Sequence, residues 1–454
     1  MEDTMKIEIK IISKEIIKPS SPTPSHLKTL KLSLFDQLFP VFHLPILLFY
    51  NAPSKTPPLQ ITNLKSSLSY TLSHFYPLAG RCIDEDTVSC NDEGIPFIET
   101  HVNSPLTEFL ASSHKLDFLS ELLPPREILS SGSPLISDMV PLAFQINVFA
   151  CGGIVIGCFM FHKLLDILSL GTFFHYWAAT AAQQFHNVVD PTFDLIVKGF
   201  PPLSSLDRVK VMEPLKDTIA KFRPISVLVK SFRFTKTAIN DLKIMAATEA
   251  HPNPTTFETL TGFIWESVIA AAIIARTAAN EPVSETTAVV MSINIRTRTN
   301  PPLPRNSMGN CVADMISNAT IQGRLPELVA EIHSTILKGK SRIEVVYQDV
   351  NGVEEILKDR RSAEKAFCQD NPSVYHVSSW CKLGLSEADF GFGKPMWIVP
   401  TYNGKLPMFR NYIFLTDYYD DLNGDGIEAW LFLEEKEMQV LETNPRFLQF
   451  ASPY

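Results

Sequence analysis

Eight uncharged, apolar residues, Ile154 to Phe161, run straight into His162-Lys163-Leu164-Leu165-Asp166, and a long apolar segment, Leu168 to Phe185, follows at once. No other stretch constrains the fold as tightly. A short apolar run rich in β-branched residues reads as a strand buried on both faces. The longer segment reads as a helix, so the chain passes from strand through turn to helix within about thirty residues. This puts an imidazole at the end of a buried strand and a carboxylate at the start of a helix. Two readings fit each residue. His162 is a structural histidine beside an apolar strand or a general base, since burial favours the neutral imidazole. Asp166 caps the helix by accepting backbone N–H bonds, or it positions the histidine and braces its loop. The H-x-x-x-D spacing alone decides neither.

Around this unit the chain mixes helices and strands without a strict βαβ rhythm, which points to α/β with mixed sheets. Strands are predicted over Lys6–Ile17, Ser231–Phe234, Ala288–Arg296, Trp397–Val399, Tyr412–Thr416 and Ala429–Leu433. Thr87–Ile98 reads as a hairpin around Asn91-Asp92-Glu93-Gly94, and Pro141–Phe161 as two strands joined at Cys151-Gly152-Gly153. Helices are predicted over Ile61–Phe75, Lys236–Ala247, Thr255–Ala279 and Leu325–Lys338. The Pro-rich, weakly periodic Gly199–Pro224 reads as a linker. The expected division is therefore 1–198, a connecting segment at 199–224, and 225–454.

Several function classes are excluded or disfavoured. The net charge is −9 and no Lys/Arg-rich run occurs, so nucleic acid and anionic membrane are not expected partners. The seven cysteines include no C-x-x-C pair, which fits free thiols in a reducing, intracellular setting. The acidic N-terminus is unlike a signal peptide. The apolar stretch Phe39–Tyr50, interrupted by His43 and Pro45, is too short to span a bilayer. Gly339-Lys340-Ser341 is no phosphate-binding loop, because Ser334 stands where that loop needs glycine; it reads instead as the end of the preceding helix. Asp421 to Gly426 resembles half a calcium loop, but Phe432 replaces the bidentate glutamate, so a turn between strands is expected. No nucleophile elbow or H-E-x-x-H occurs, and the eleven histidines show no metal-ligand spacing. No metal is expected.

The residues around His162 carry more. H-K-L-L-D-I-L-S-L-G-T-F closely resembles a signature of the plant BAHD acyltransferases, which use acyl-coenzyme A donors. Asp389-Phe390-Gly391-Phe392-Gly393-Lys394-Pro395 resembles that family's second signature. Between and around them, Lys18–Pro24, His74–Arg81, Asn294–Arg298, Asn306–Asn310 and Ser379–Cys381 match in order. The family's usual Ala or Val before the aspartate is Leu165 here, the Gly that often follows it is Ile167, and the usual Trp of the late loop is Phe392. None of these departures removes a reacting group.

The resemblance implies two similar-sized domains, each a mixed sheet with flanking helices, joined by a crossover segment and separated by a central solvent channel. It implies His162 as general base for acetyl transfer from acetyl-coenzyme A to a hydroxyl of a plant alkaloid or terpenoid, with no bound cofactor. Asp166 is then a brace paired with Arg296, and Asp389 a signature residue that supports structure. Leu165, Ser378, Trp380 and Phe392 are candidates for lining the substrate pocket, and the chain is expected to act as a cytoplasmic monomer. Transfer of a longer or aromatic acyl group, transfer to an amine, and a non-catalytic binding role are the alternatives.

Overall fold

The structure, a computed structural model, describes residues 7–52, 61–112, 115–130, 135–204, 227–345, 352–368, 373–401, 410–419 and 425–454. The chain divides into two units. The first comprises Met1–Ser204, Pro304–Cys311 and Lys382–Asn403; the second comprises Ser205–Leu303, Val312–Cys381 and Gly404–Tyr454.

This corrects the expected contiguous halves. Two pieces of the C-terminal half belong to the first unit, and one of them carries Asp389. The cause is strand pairing. Trp397–Pro400 joins the first unit's sheet antiparallel to His43–Tyr50, from Trp397 opposite Phe49 to Pro400 opposite Ile46. Most of the expected linker at 199–224 lies outside the described residues.

The first unit holds a six-stranded mixed sheet in the order Ile9–Ile17, Ile95–Val102, Leu142–Phe149, Ile154–Phe161, His43–Tyr50, Trp397–Pro400. All eight residues of Ile154–Phe161 are buried, as a central strand covered on both faces requires. The helix Ile167–Ala181 crosses one face, its Trp177 ring 4.9 Å from Phe144. Thirteen of its fifteen residues are buried, so it is a core helix and not an amphipathic surface one. The Trp177 indole N–H also donates to Leu64 O and Ser67 Oγ, which ties down the helix Ile61–His74.

The predicted hairpin at Thr87–Ile98 does not form. Thr87–Ser89 pairs in a separate three-stranded sheet, whereas Ile95–Val102 lies in the main one. Between them the Asp92 carboxylate is held by Thr23 and Lys28, which fixes the bend that redirects the chain. The helix predicted to reach Phe185 stops at Ala181, where Gln183 takes a positive φ.

The second unit is a seven-stranded mixed sheet in the order Val312–Thr320, Thr286–Asn294, Val374–Ser379, Tyr412–Tyr418, Gly426–Glu434, Val227–Thr235, Ser452–Pro453. Its helix Thr256–Ala278 is long and apolar enough to cross a membrane by length and composition, yet 72% of that apolar window is buried within the protein. The Gly339 region is not a helix end: the helix Leu325–Val345 runs through it. A Cβ at Gly339 would come within 2.5 Å of Met315, so glycine there allows close packing on the strand Val312–Thr320. The strand predicted over Ala288–Arg296 ends at Asn294, and Arg296 begins a 3-10 turn.

Candidate active site

His162 sits in the turn that follows Ile154–Phe161. Its backbone N–H donates to Phe42 O at 3.1 Å. Its ring lies nearly parallel to Phe39, with centroids 4.4 Å apart and planes 12° apart, and tilts against Phe42 at 5.3 Å. Two aromatic contacts of this kind fix the orientation of the ring and keep one face of it dry.

Phe39 is placed by a short helix, Leu34–Leu38, that the sequence announces. Ser33 and Asp36 form a capping box: Asp36 N donates to Ser33 Oγ, and Ser33 N donates to an Asp36 oxygen. The buried Asp36 also accepts from Asn310 N at 2.6 Å and Asn310 Nδ2 at 3.0 Å. Burial pushes its carboxyl above the ordinary value, against the pull of these hydrogen bonds.

Asn310 is the hub. Its side-chain amide donates to His162 O at 2.9 Å and to Lys163 O at 3.2 Å as well as to Asp36. The segment that carries it is sewn to the first unit at both ends. Thr192 N donates to Asn306 O and Met308 N to Thr192 O; further on, Ser169 Oγ bonds Gly309 O. Lys163, whose side chain is fully buried, pairs with Glu85 at 3.0 Å and anchors the turn from the other side.

Asp166 caps the helix, as one of the two sequence readings held. One carboxylate oxygen accepts from Ser169 N at 2.9 Å. The other accepts from Cys311 N at 3.1 Å. The same side chain therefore starts the helix and braces a segment that returns 145 residues later. Leu165 beside it is 1% exposed.

The second signature is a loop that packs further along the same helix. Asp389 Oδ1 accepts from Gly391 N at 2.8 Å and Gly393 N at 2.9 Å, so it closes its own loop. Phe390 packs edge-on against Trp177 at 4.9 Å, and Phe392 against Tyr50 at 5.1 Å. Tyr50 in turn donates to Ala388 O. Ahead of this loop, Leu383 O approaches Gly171 so closely that a Cβ there would lie 2.0 Å from it. Trp177 is eleven residues beyond Asp166, roughly 16 Å along the helix axis. Phe392, expected to line a substrate pocket, makes its described aromatic contacts with Tyr50 and Phe390 in this distal cluster.

Arg296, Ser378 and Trp380 belong to the second unit. Arg296 is fully buried, and its guanidinium donates to Asn294 Oδ1 at 3.2 Å. Ser378 lies on Val374–Ser379, opposite Ser292 and Phe414. The Trp380 amide donates to Leu415 O, and its indole packs on Phe414.

Sequence reasoning passed over Asp36, Phe39, Phe42 and the role of Asn310. The S-x-x-D spacing at Ser33–Asp36 signalled the capping box. Asn310 closed a segment noted only for its resemblance, and Phe39 and Phe42 were set aside within an apolar stretch.

Known proteins resemble this chain along nearly its whole length. Residues 7–448 match the model of the Transferase family. Vinorine synthase of Rauvolfia serpentina is 35% identical over 96% of this chain and 97% of its own length. Its crystal structure superposes with a TM-score of 0.78 over 98% of this chain and 99% of that one. Stemmadenine O-acetyltransferase of Catharanthus roseus is 34% identical, with 97% of each chain covered. Limonoid 21-O-acetyltransferase of Citrus sinensis is 32% identical, covering 98% of this chain and 99% of that one. The chain belongs to the BAHD family of acyl-coenzyme A-dependent acyltransferases.

Proposed function

We propose that this protein transfers an acetyl group from acetyl-coenzyme A to a hydroxyl of a hydrophobic plant alkaloid or terpenoid, with His162 as the general base. Relatives named as O-acetyltransferases of stemmadenine and of limonoids support both the acetyl donor and the acceptor class. The observation that carries the base assignment is the His162 ring clamped against Phe39 in a turn held by Asn310 and Asp166.

An aliphatic alcohol is far too weak an acid to lose its proton to an imidazole before attack. His162 therefore takes the proton as the oxygen bonds to the thioester carbonyl carbon. The carbonyl becomes a tetrahedral oxyanion, which needs hydrogen-bond donors. As that intermediate collapses, the carbon–sulfur bond breaks, the ester forms, and the imidazolium returns its proton to the coenzyme A sulfur. No covalent enzyme intermediate is needed.

The Trp380 amide is committed to the strand ladder through Leu415 O, so hydroxyls such as that of Ser378 are the better oxyanion donors in that segment. We assign Asp166 a second role, an ion pair with Arg296 that adds to its two backbone contacts. Leu165 shapes the acceptor side of the turn. The substrates meet His162 in a channel that acetyl-coenzyme A and the acceptor enter from opposite ends. The acidic balance suits a cytoplasmic monomer acting on dissolved small molecules.

The test is incubation with acetyl-coenzyme A and a panel of alkaloid and terpenoid alcohols, following free thiol and product mass. Thiol release coupled to a gain of one acetyl group is expected. Absence of thiol release above the acceptor-free rate across the panel would favour a non-catalytic binding role.

A further inference from the structure

The second unit gathers three side chains that spacing alone does not connect. His251 lies in the connection between the helices Lys236–Ala246 and Thr256–Ala278. Its backbone N–H donates to Thr248 O at 3.2 Å and to Thr248 Oγ1 at 3.0 Å, so a tight turn holds it in place. Glu258 is seven residues on, in the first turn of the second helix. His333 comes 75 residues after that, in the middle of the helix Leu325–Val345.

The buried Glu258 carboxylate receives one imidazole on each oxygen. His251 Nε2 is 3.2 Å from Oε2, and His333 Nδ1 is 2.7 Å from Oε1. The two rings stack with centroids 3.8 Å apart and planes 20° apart. The three ligand atoms all lie within 4.8 Å of one another.

We propose that His251, Glu258 and His333 form a binding site for one divalent transition-metal ion of the Zn²⁺ class. Two imidazole nitrogens and one carboxylate oxygen are a borderline donor set that suits zinc, nickel or copper and disfavours magnesium or calcium, which take oxygen ligands. Ligand atoms about 2.0–2.1 Å from a tetrahedral ion lie about 3.3 Å apart. The three ligand atoms, now within 4.8 Å of one another, need to draw together by at most about 1.5 Å to reach that spacing. Each ring nitrogen now facing Glu258 turns its lone pair to the ion, and its proton moves to the other ring nitrogen or to solvent. The carboxylate is already fixed by Thr255 N at 2.7 Å, which orients a metal ligand as an outer-shell hydrogen bond does. His333 keeps 33% of its side chain exposed, which gives an ion a route in and a water a fourth position.

The site joins a connecting turn to two long helices, so an ion there clamps the helical layer of the second unit. It contributes nothing to acyl transfer, which His162 carries out on the first unit. The sequence expectation that the histidines lack ligand spacing holds along the chain but not in the fold.

The test uses the full-length, untagged, chelator-stripped enzyme. Titration calorimetry with Zn²⁺ alone is expected to give one saturable equivalent, and saturation is expected to raise the unfolding midpoint by a few degrees. Replacing Zn²⁺ by Co²⁺ is expected to give the visible absorption of a four-coordinate ion. His251→Ala combined with His333→Ala is expected to weaken binding at least tenfold and abolish both signals, while leaving acetyl transfer unchanged. Circular dichroism and the unfolding midpoint of the metal-free variant check its folding. The seven cysteines are a competing source of zinc binding. Equal stoichiometry and affinity in the double variant, or no saturable binding to the parent protein, would overturn the assignment.

Discussion

Two carboxylates, one at the start of the helix Ile167–Ala181 and one in a loop packed against its far part, do similar work with different consequences. Asp166 and Asp389 each accept two backbone N–H groups. Asp166 takes one from its own helix and one from Cys311, so it joins distant parts of the chain beside His162. Asp389 takes both from glycines within its own loop, near Trp177. The first carboxylate braces the turn that carries the His162 ring. The second sets the shape of a loop that wedges Phe390 against the far part of the helix. Signature residues of equal prominence in the sequence thus divide into one that joins distant segments and one that closes its own loop.

The largest stability effect is expected at Asp166. Asp166→Ala leaves the Ser169 and Cys311 amides buried without an acceptor, at about 3–4 kcal/mol in chemical denaturation. Asp166→Asn keeps one acceptor and is expected to lose about half of that. Both are expected to slow acetyl transfer at least tenfold because the turn carrying His162 moves. A variant with normal stability would contradict the bracing role.

Asn310→Ala is expected to cost about 2–3 kcal/mol, because it removes the amide shared by His162 O, Lys163 O and Asp36. Its loss of activity is expected to follow that of Asp166→Ala. If it instead resembles an Asp389 variant, the turn is not held as described.

Acid should weaken the same end of the sheet. His43 packs on Phe161, the residue before His162, and its Nε2–H donates to Val140 O. Burial pushes its imidazole down to about 4, and the nearby Arg126 adds to the shift. The unfolded side chain titrates near about 6.5. Between these values the unfolded chain holds the extra proton, so the stability this group contributes is complete above pH 6.5 and drains as pH falls through the folded value. About 2 kcal/mol should be lost by pH 5 from this group alone. Denaturation at pH 7.5 and 5 is expected to show that loss in the parent protein and not in His43→Gln.

The smallest effect is expected at Asp389. Asp389→Asn keeps one acceptor for a partly exposed loop and should cost about 1 kcal/mol. Activity is expected to fall several-fold, through loop packing. A loss as large as that of Asp166→Ala would erase the distinction between the two carboxylates.

Much of this was legible in the sequence, for reasons of range. The strand Ile154–Phe161, the helix after it and the Asp166 cap rest on neighbours in the chain, so periodicity and capping chemistry reveal them. Asn310 could be seen but not interpreted, because its partners Asp36 and His162 lie 274 and 148 residues away. The transfer of Trp397–Pro400 into the first sheet was invisible, since four apolar residues do not state which sheet they complete. The false hairpin at Thr87–Ile98 has the same origin. Turn residues announce a bend, while strand partners settle where the bend leads.

The most direct measurement is the rate of acetyl transfer by His162→Ala with an accepted alcohol, made beside Asp389→Ala on samples whose unfolding midpoints are known. His162→Ala is expected to lose about 10²–10⁴-fold in kcat while its midpoint stays close to that of the parent, the magnitude of a missing general base. A parent-like rate in His162→Ala, or an equal loss in Asp389→Ala at unchanged stability, would contradict the placement of the chemistry at His162.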